Sequence, residues 1–557
     1  MTAHGLLPDS PPPSREVLLV WTDRKGITRD EDLVIAEMGD GGGWRMMSER
    51  DMEIGELICA IPKTSLLSHR TSSLPALPSL SPTETQGRSM NSHTILHLSL
   101  CLLHEFRLGT QSDFYGYLQS LPRTTIGLPI FWDIDDVSGK DGKLARDWLK
   151  YTEVEKELKI REEQGLGLSD LNEFYKSYSS HLPSTESHPN PSPVEAFYYC
   201  FSLVSTRAFM VDLYHLIALC PFADILNHSS TSNSHTSLSS DDFVCHSCGS
   251  LKSCSHDILN PTNGIPYRLS HIGIKDYHRI ENEIDTVDLR IENPLNVNNQ
   301  NGSDQGGYEE VFNCYGEGLS DSRLLTEWGF ISEEFIGEGL TWNVDELDPD
   351  ENLISSHVNE NEQGLELLWE IIDSAMSVLV ERSQGNWCWY SEESLLCPQN
   401  ERDKRLFNLD QSARISINIF AFMWLSQRIN LASKVGNQKI SQASEEKDEL
   451  IDELVKSIEE LSRLWDNINS QNDPSSCDLR LEDESMTVAK KVKMLLQSRL
   501  EGMHKSELSQ EELFDTRDSL GPEEKYQYMA MTISINERSL LRSAIGKWDE
   551  LLSLCRL

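Results

Sequence analysis

Eight residues, Pro221-Phe-Ala-Asp-Ile-Leu-Asn-His228, constrain this chain most. They follow an apolar run from Leu213 to Cys220 and read as a strand or buried segment entering a turn. Asp224, Asn227 and His228 therefore stand inside one of the most apolar stretches of a very polar chain. A buried polar side chain is costly unless it is hydrogen-bonded. These three must meet a partner, either another piece of backbone or a ligand. A second such place is Val311-Phe-Asn-Cys-Tyr-Gly316, followed by Leu324-Leu-Thr-Glu-Trp-Gly-Phe330. The expectation is that the two pieces form one site.

The chain has 557 residues and a formal net charge of −41. That length allows about two or three domains and a sizeable core. The charge repels nucleic-acid backbone, which argues against direct DNA or RNA binding, and attracts a Lys/Arg-rich protein partner. Most of it belongs on solvated helices and loops. No apolar run is long enough to span a bilayer, so no membrane role is expected. The N-terminal residues carry no basic region and no long apolar core of the signal-peptide kind. Twelve cysteines are then expected as reduced thiols in the cytoplasm and/or nucleus.

Residues 1–15 read as a disordered tail. From Glu16 the pattern is strand-like, with apolar runs at Val17–Trp21, Leu33–Ala36 and Gly55–Pro62 and a turn at Gly39-Asp-Gly-Gly-Gly43. Ser92 reads as the cap of a buried helix running to about Leu108. Residues 142–180 are helical in pattern, as is Val194–Arg207. Residues 229–308 are rich in Ser, Asn, Asp and Gly and read as a long insertion with local order at most. Beyond Phe330 apolar residues recur at helical spacing, with Ile415–Leu425 as the central helix of a separate α-helical unit.

Within the insertion stands Cys245-x-x-Cys248-x5-Cys254-x-His256. Two cysteines two apart with Gly249 next make a knuckle suited to tetrahedral zinc, which Cys254 and His256 would complete, with His246 as an alternative fourth ligand. Such an ion would be structural, since protein fills all four positions. Reduced cysteines without metal are the competing reading.

The ordered motifs resemble a family. Arg50-Asp-x-x-x-Gly-Glu-Leu…Ile-Pro62, Tyr117-Leu-x-x-Leu-Pro…Pro-x-x-Trp132, Thr206-Arg-x-Phe209, Ala223-Asp-x-Leu-Asn-His-Ser229 and Tyr315-Gly…Leu-Leu-x-x-Trp-Gly-Phe330 look like the SET-domain lysine methyltransferases. More narrowly, they resemble the branch with the Rubisco large-subunit methyltransferase and the fungal ribosomal-protein lysine methyltransferases. The resemblance implies an α+β fold: a SET-domain β-fold with a pseudoknot, split by a helical insert and followed by an α-helical substrate-binding domain. In this chain that gives 16–91 and 206–335 as the two parts of the SET domain, with 229–308 inserted. It gives 92–205 as the insert and 350–557 as the helical domain.

The resemblance also implies roles. Tyr315 takes the position of the catalytic tyrosine. S-adenosylmethionine would be held by Gly43, Trp44, Arg45, Arg207, Asn227, His228, Tyr315 and Phe330, and Trp328 and Phe209 would line the lysine channel. Tyr315 alone would pass for a core tyrosine; its motif context makes the difference. The substrate would be a basic protein, best matched by a large-subunit ribosomal protein, with cytochrome c, elongation factors and histones as other lysine-rich candidates. Two positions depart from the family pattern: Arg45 stands where a second glycine is usual, and Asp321 where an asparagine is. They favour the alternative of a non-catalytic SET-fold module that binds basic partners.

Overall fold

The computed structural model describes residues 14–38, 43–75, 77, 90–183, 194–229, 233–240, 243–272, 284–297, 308–332, 339–347, 362–383, 394–397, 406–435, 444–469 and 481–554. Most of the expected tail, turn residues 39–42, most of the Ser/Pro loops near 80 and 188, and parts of the insertion lie outside the described residues. The chain divides into two compact units. The first comprises residues 1–143, 157–319 and 323–331; the second comprises 144–156, 320–322 and 332–557.

The first unit starts with a correction. The run expected as a strand at Val17–Trp21 lies in a helix, α1 (Arg15–Arg24), so the expected tail also ends earlier. The Ser14 hydroxyl accepts from the Val17 N–H at 3.3 Å and caps it. A short apolar run suits either structure, and the cap decides it. Leu18 and Trp21 are buried, and the Trp21 indole donates to the Asp113 carbonyl at 2.8 Å.

Eleven strands follow in this unit among the described residues: β1 (Thr28–Arg29), β2 (Leu33–Glu37), β3 (Trp44–Ser48), β4 (Leu57–Pro62), β5 (Ala208–Met210), β6 (Ile217–Leu219), β7 (Asn227–His228), β8 (Thr236–Ser240), β9 (Thr286–Ile291), β10 (Glu309–Glu310) and β11 (Phe312–Asn313). A six-stranded sheet has the order β1-β4-β9-β8-β11-β7, a second sheet the order β10-β3-β2, and β5 pairs with β6. Helices lie between the fourth and fifth strands in the chain: α2 (Met90–Leu108), α3 (Tyr115–Leu118), α4 (Asp135–Trp148), α5 (Glu153–Arg161), α6 (Leu168–Tyr178) and α7 (Val194–Arg207), of which the end of α4 and the start of α5 belong to the second unit. The helix α2 is largely apolar and largely buried, and it meets α7 through Phe106 and Tyr199 with ring centroids 5.6 Å apart. Ser92 is inside this helix and not its cap; its hydroxyl donates to the Gln164 carbonyl.

The insertion needs a second correction. Both β8 and β9 lie within residues 229–308 and form the middle of the six-stranded sheet. Thr286-Val-Asp-Leu-Arg-Ile291 alternates polar and apolar, and Val287, Leu289 and Ile291 are buried. Period-two alternation is the signature of a half-buried strand, and here the surrounding Ser/Asn-rich composition masked it. The excursion proper runs only from β8 to β9.

The second unit is built on long helices, among them Glu362–Ser383, Ile417–Val435, Ser444–Asn469, Asp483–Gly502 and Lys525–Leu554. Ile417, Ile419, Phe420, Ala421, Phe422, Trp424 and Leu425 are all buried in its core. It is not wholly helical: Leu340–Trp342, Leu396–Cys397, Phe407–Leu409 and Ile415–Ser416 form a four-stranded sheet. Strands of two or three residues are too short to show a period. A buried charge cluster also lies here. Arg499 donates to Glu153 Oε1 at 2.7 Å, and Glu537 Oε1 accepts from the Glu153 N–H at 3.0 Å. Burial, with Glu153 nearby, pushes the Glu537 carboxyl up to about 8 against the pull of Arg499.

Candidate active site

The opening stretch owes its shape to what surrounds Asp224. Helix α7 ends at Arg207, β5 and β6 fold back as a hairpin, and Phe222 turns the chain at φ 77°. A positive φ at a bulky residue is strained; burial of the Phe222 ring opposes that strain. The Asp224 carboxylate accepts from the Tyr117 hydroxyl at 2.8 Å. Its backbone carbonyl accepts from Arg207, whose guanidinium is 3.9 Å from the carboxylate. Burial raises the Asp224 carboxyl, while Arg207 and the Tyr117 hydrogen bond draw it back down. The stranded aspartate is thus a structural knot of three side chains from three elements.

Asn227 and His228 lead to the second segment. Strand β11 pairs in parallel with β7, Phe312 opposite Asn227 and Asn313 opposite His228. The returning strand lies between β7 and β8, two strands laid down before it. Side chains reinforce the junction. His228 Nδ1 accepts from the Tyr315 N–H at 3.1 Å, so its proton sits on Nε2. Burial lowers the His228 pKa, which keeps the ring neutral. The Tyr315 hydroxyl donates to the Leu226 carbonyl at 2.9 Å.

The expected site residues fall into two groups that meet at Tyr315. On one side are Gly43, Trp44, Arg45, Asn227, His228 and Phe330. The His228 ring is 5.1 Å from Tyr315 and 6.1 Å from Phe330, centroid to centroid. Asn227 Nδ2 donates to Glu310 Oε1 at 2.7 Å, and Arg45 lies 3.6 Å from Glu310 Oε2. Gly43 has φ 98° with open space before it. Arg45 pairs with Ala36 in a regular strand, so its backbone makes no demand for glycine. Asp321 likewise has a local role, accepting from the Ser332 N–H at 2.7 Å.

On the other side is a cavity of about 370 Å³ lined by Arg207, Phe209, Asp224, Leu226, Tyr315 and Trp328, among others. The Tyr315 and Trp328 rings stack at 5.6 Å. Burial pushes the Tyr315 hydroxyl up to about 12, with nearby Arg207 opposing, so it stays protonated at neutral pH. Arg207, expected with the cofactor residues, is found on this side. Three participants escaped the sequence reading: Glu310, which joins Asn227 to Arg45; Tyr117, which holds Asp224; and the Leu226 carbonyl. Nothing local marks Glu310, since a carboxylate beside an apolar strand pair is ordinary surface composition.

A third cluster stands in the excursion between β8 and β9. The ligand atoms of Cys245, Cys248, Cys254 and His256 all lie within 4.8 Å of one another.

No protein-family model matches the chain. It is 26% identical over 334 residues to ribosomal lysine N-methyltransferase 3 of Saccharomyces cerevisiae, covering 53% of this chain and 57% of the yeast protein. It is 26% identical over 238 residues to the N-lysine methyltransferase SETD6 of Mus musculus, covering 40% and 46%. The chain thus spans about half the length of the curated relatives it matches. Among solved structures, it is similar to Rubisco LSMT bound to AdoMet, with 16% identity, TM-score 0.53 and coverage of 97% of this chain and 93% of that one. Rubisco LSMT bound to sinefungin and monomethyllysine gives 15% identity and the same TM-score. The fold is that of the SET-domain lysine methyltransferases, α+β with a helical C-terminal region.

Proposed function

We infer that this SET-domain chain is an S-adenosylmethionine-dependent protein-lysine N-methyltransferase acting on a basic protein. The observation that carries the reading is the Tyr315 hydroxyl, fixed on the Leu226 carbonyl where the two groups of residues meet. Its hydrogen is committed to that carbonyl, so towards the cavity the oxygen presents lone pairs. It is an acceptor that can orient an amine N–H, and at its raised pKa it is no base.

The residues fit the cofactor. Glu310 is a carboxylate acceptor for an ammonium group. The Nε of Arg45 is buried without a hydrogen-bond partner among the described residues, which leaves a donor for a carboxylate on the Glu310 side, while Arg207 lines the cavity on the other side of Tyr315. Bound there, S-adenosylmethionine would supply an electrophilic methyl group. The protein must supply a neutral lysine, because only roughly one exposed lysine in a few thousand is neutral at pH 7. The apolar part of the cavity wall, Phe209, Leu226 and Trp328, disfavours the ammonium form and holds the amine in line with its acceptor.

The finer reading is a large-subunit ribosomal protein as substrate. It is supported by the net charge of −41, which draws basic partners, and by the name of the yeast relative. A cytoplasmic and/or nuclear location belongs to the same proposal. The test is methyl transfer from radiolabelled S-adenosylmethionine into ribosomal proteins from cells lacking this protein, with mass spectrometry of the labelled band. Label in a lysine of a large-subunit protein is expected. Label confined to cytochrome c, an elongation factor or a histone would redirect the substrate. Absence of cofactor binding at millimolar ligand would overturn the enzyme reading in favour of a binding module.

A further inference from the structure

The excursion between β8 and β9 has little apolar burial of its own. Val244 and Leu251 are its small core, with Tyr214 and Ile272 packed against them. Ile265 and Leu269 are also buried, and these few apolar side chains are a weak counterweight to ordering a segment this long. Its order comes instead from polar ties. Arg268 donates to both oxygens of Asp257 and to the carbonyls of Leu251 and Lys252. Asp257 in turn accepts from the Cys254 N–H at 2.8 Å. The knuckle closes on itself as the Gly249 N–H donates to the Cys245 carbonyl at 2.7 Å.

We propose that Cys245, Cys248, Cys254 and His256 bind one structural zinc ion, and that this ion staples the excursion to the β5–β6 hairpin beside the cavity. The donor set of three thiolates and one imidazole is that of closed tetrahedral zinc sites. In such a site the ligand atoms stand about 3.5–4 Å apart, inside the 4.8 Å spread observed. On binding, three S–H protons leave to solvent and three sulfur–zinc bonds form, with the fourth bond from neutral His256. The resulting cluster carries one net negative charge, and the Arg268 guanidinium is its cationic neighbour.

The staple has a definite point of attachment. Gly249 packs closely against the Tyr214 ring: a Cβ there would come within 2.4 Å of it. The same ring also meets Arg70, whose guanidinium is 4.9 Å from its centroid. Tyr214 sits in the hairpin turn between β5 and β6, and β5 carries Phe209 and Met210 of the cavity wall. The metal therefore fixes the position of one wall of the cavity without touching it.

The experiment uses the full chain purified without chelator and read by elemental analysis. About one equivalent of zinc per chain is expected for a closed four-ligand site. Less than about a tenth of an equivalent overturns the proposal. His256→Ala and Cys248→Ser, both at solvent-accessible ligands, should lose the metal, while His246→Ala should keep it; the reverse result overturns the ligand assignment. Limited proteolysis tests the staple. Zinc removal should speed cleavage within residues 243–272 by about tenfold or more, as expected when metal binding is coupled to local order. An unchanged cleavage pattern overturns the structural role. Metal content is read without any methyl-transfer assay, so this proposal and the enzyme reading fail independently.

Discussion

Replacing Tyr315 with phenylalanine removes one oxygen and leaves the ring. Two consequences can be separated. The Leu226 carbonyl loses the hydroxyl that donates to it at 2.9 Å, and Leu226 is buried. A buried acceptor left unpaired costs about 1–3 kcal/mol, so the melting temperature should fall by roughly 2 °C for each kcal/mol lost. The second consequence is catalytic. In the proposed reaction the hydroxyl oxygen orients the amine inside the cavity. Loss of one preorganised polar partner in such a site lowers kcat by about 10²–10³, or roughly 2.7–4 kcal/mol. Cofactor affinity should stay within about threefold, because the ring contacts to His228 at 5.1 Å and Trp328 at 5.6 Å do not use the hydroxyl. Initial rates with radiolabelled S-adenosylmethionine give kcat, and calorimetry with S-adenosylhomocysteine gives affinity. A variant that binds normally and turns over within about threefold of the parent would refute the role assigned to Tyr315.

Asn227→Ala removes the amide that engages Glu310; cofactor affinity should weaken by about tenfold, roughly 1.4 kcal/mol, as read by calorimetry. Tyr117→Phe leaves Asp224 without its 2.8 Å donor, and denaturant melts should show a loss of about 1–3 kcal/mol with cofactor contacts unchanged. In the second unit, Glu537 has a folded pKa raised to about 8 by burial. The stability it contributes is fully present below its unfolded pKa of about 4.3 and is lost as pH rises through about 8. Glu537→Gln should therefore flatten the stability profile across that window and leave the variant more stable than the parent at pH 9, measured by urea melts at each pH.

Some of the residues proposed to take part in chemistry were legible because they broke the pattern around them. Asn227 and His228 stood out as polar groups in an apolar stretch and Tyr315 through its motif context, and the structure brings them together. Arg207 was legible as a site residue, but which side of Tyr315 it would occupy depends on Asp224, a long-range contact. Glu310 could not be found, because its importance lies in two partners far away in sequence. The helix at Arg15–Arg24 reads as a strand because its run of apolar residues is compatible with both periods until the Ser14 cap is weighed. The strand Thr286–Ile291 is missed for the opposite reason: its alternation is clear, and the composition around it outweighs it.

The parallel pairing of β11 with β7 also governs the order in which the molecule can assemble. Tyr315 meets Leu226 across 89 residues of chain, so the contact has high sequence separation and should form slowly. Doubling the length of a closed loop costs only about 0.6 kcal/mol; the excursion therefore burdens the rate far more than the equilibrium. The antiparallel ladder of β8 with β9, Thr236 opposite Ile291, offers a shortcut. Once it forms, the distant segments are held near each other and the remaining closure is short. A nascent chain stopped before Tyr308 already contains Gly43, Arg207, Asn227 and His228, yet it has no strand to set beside β7. On refolding, sheet structure should return first and cofactor binding last.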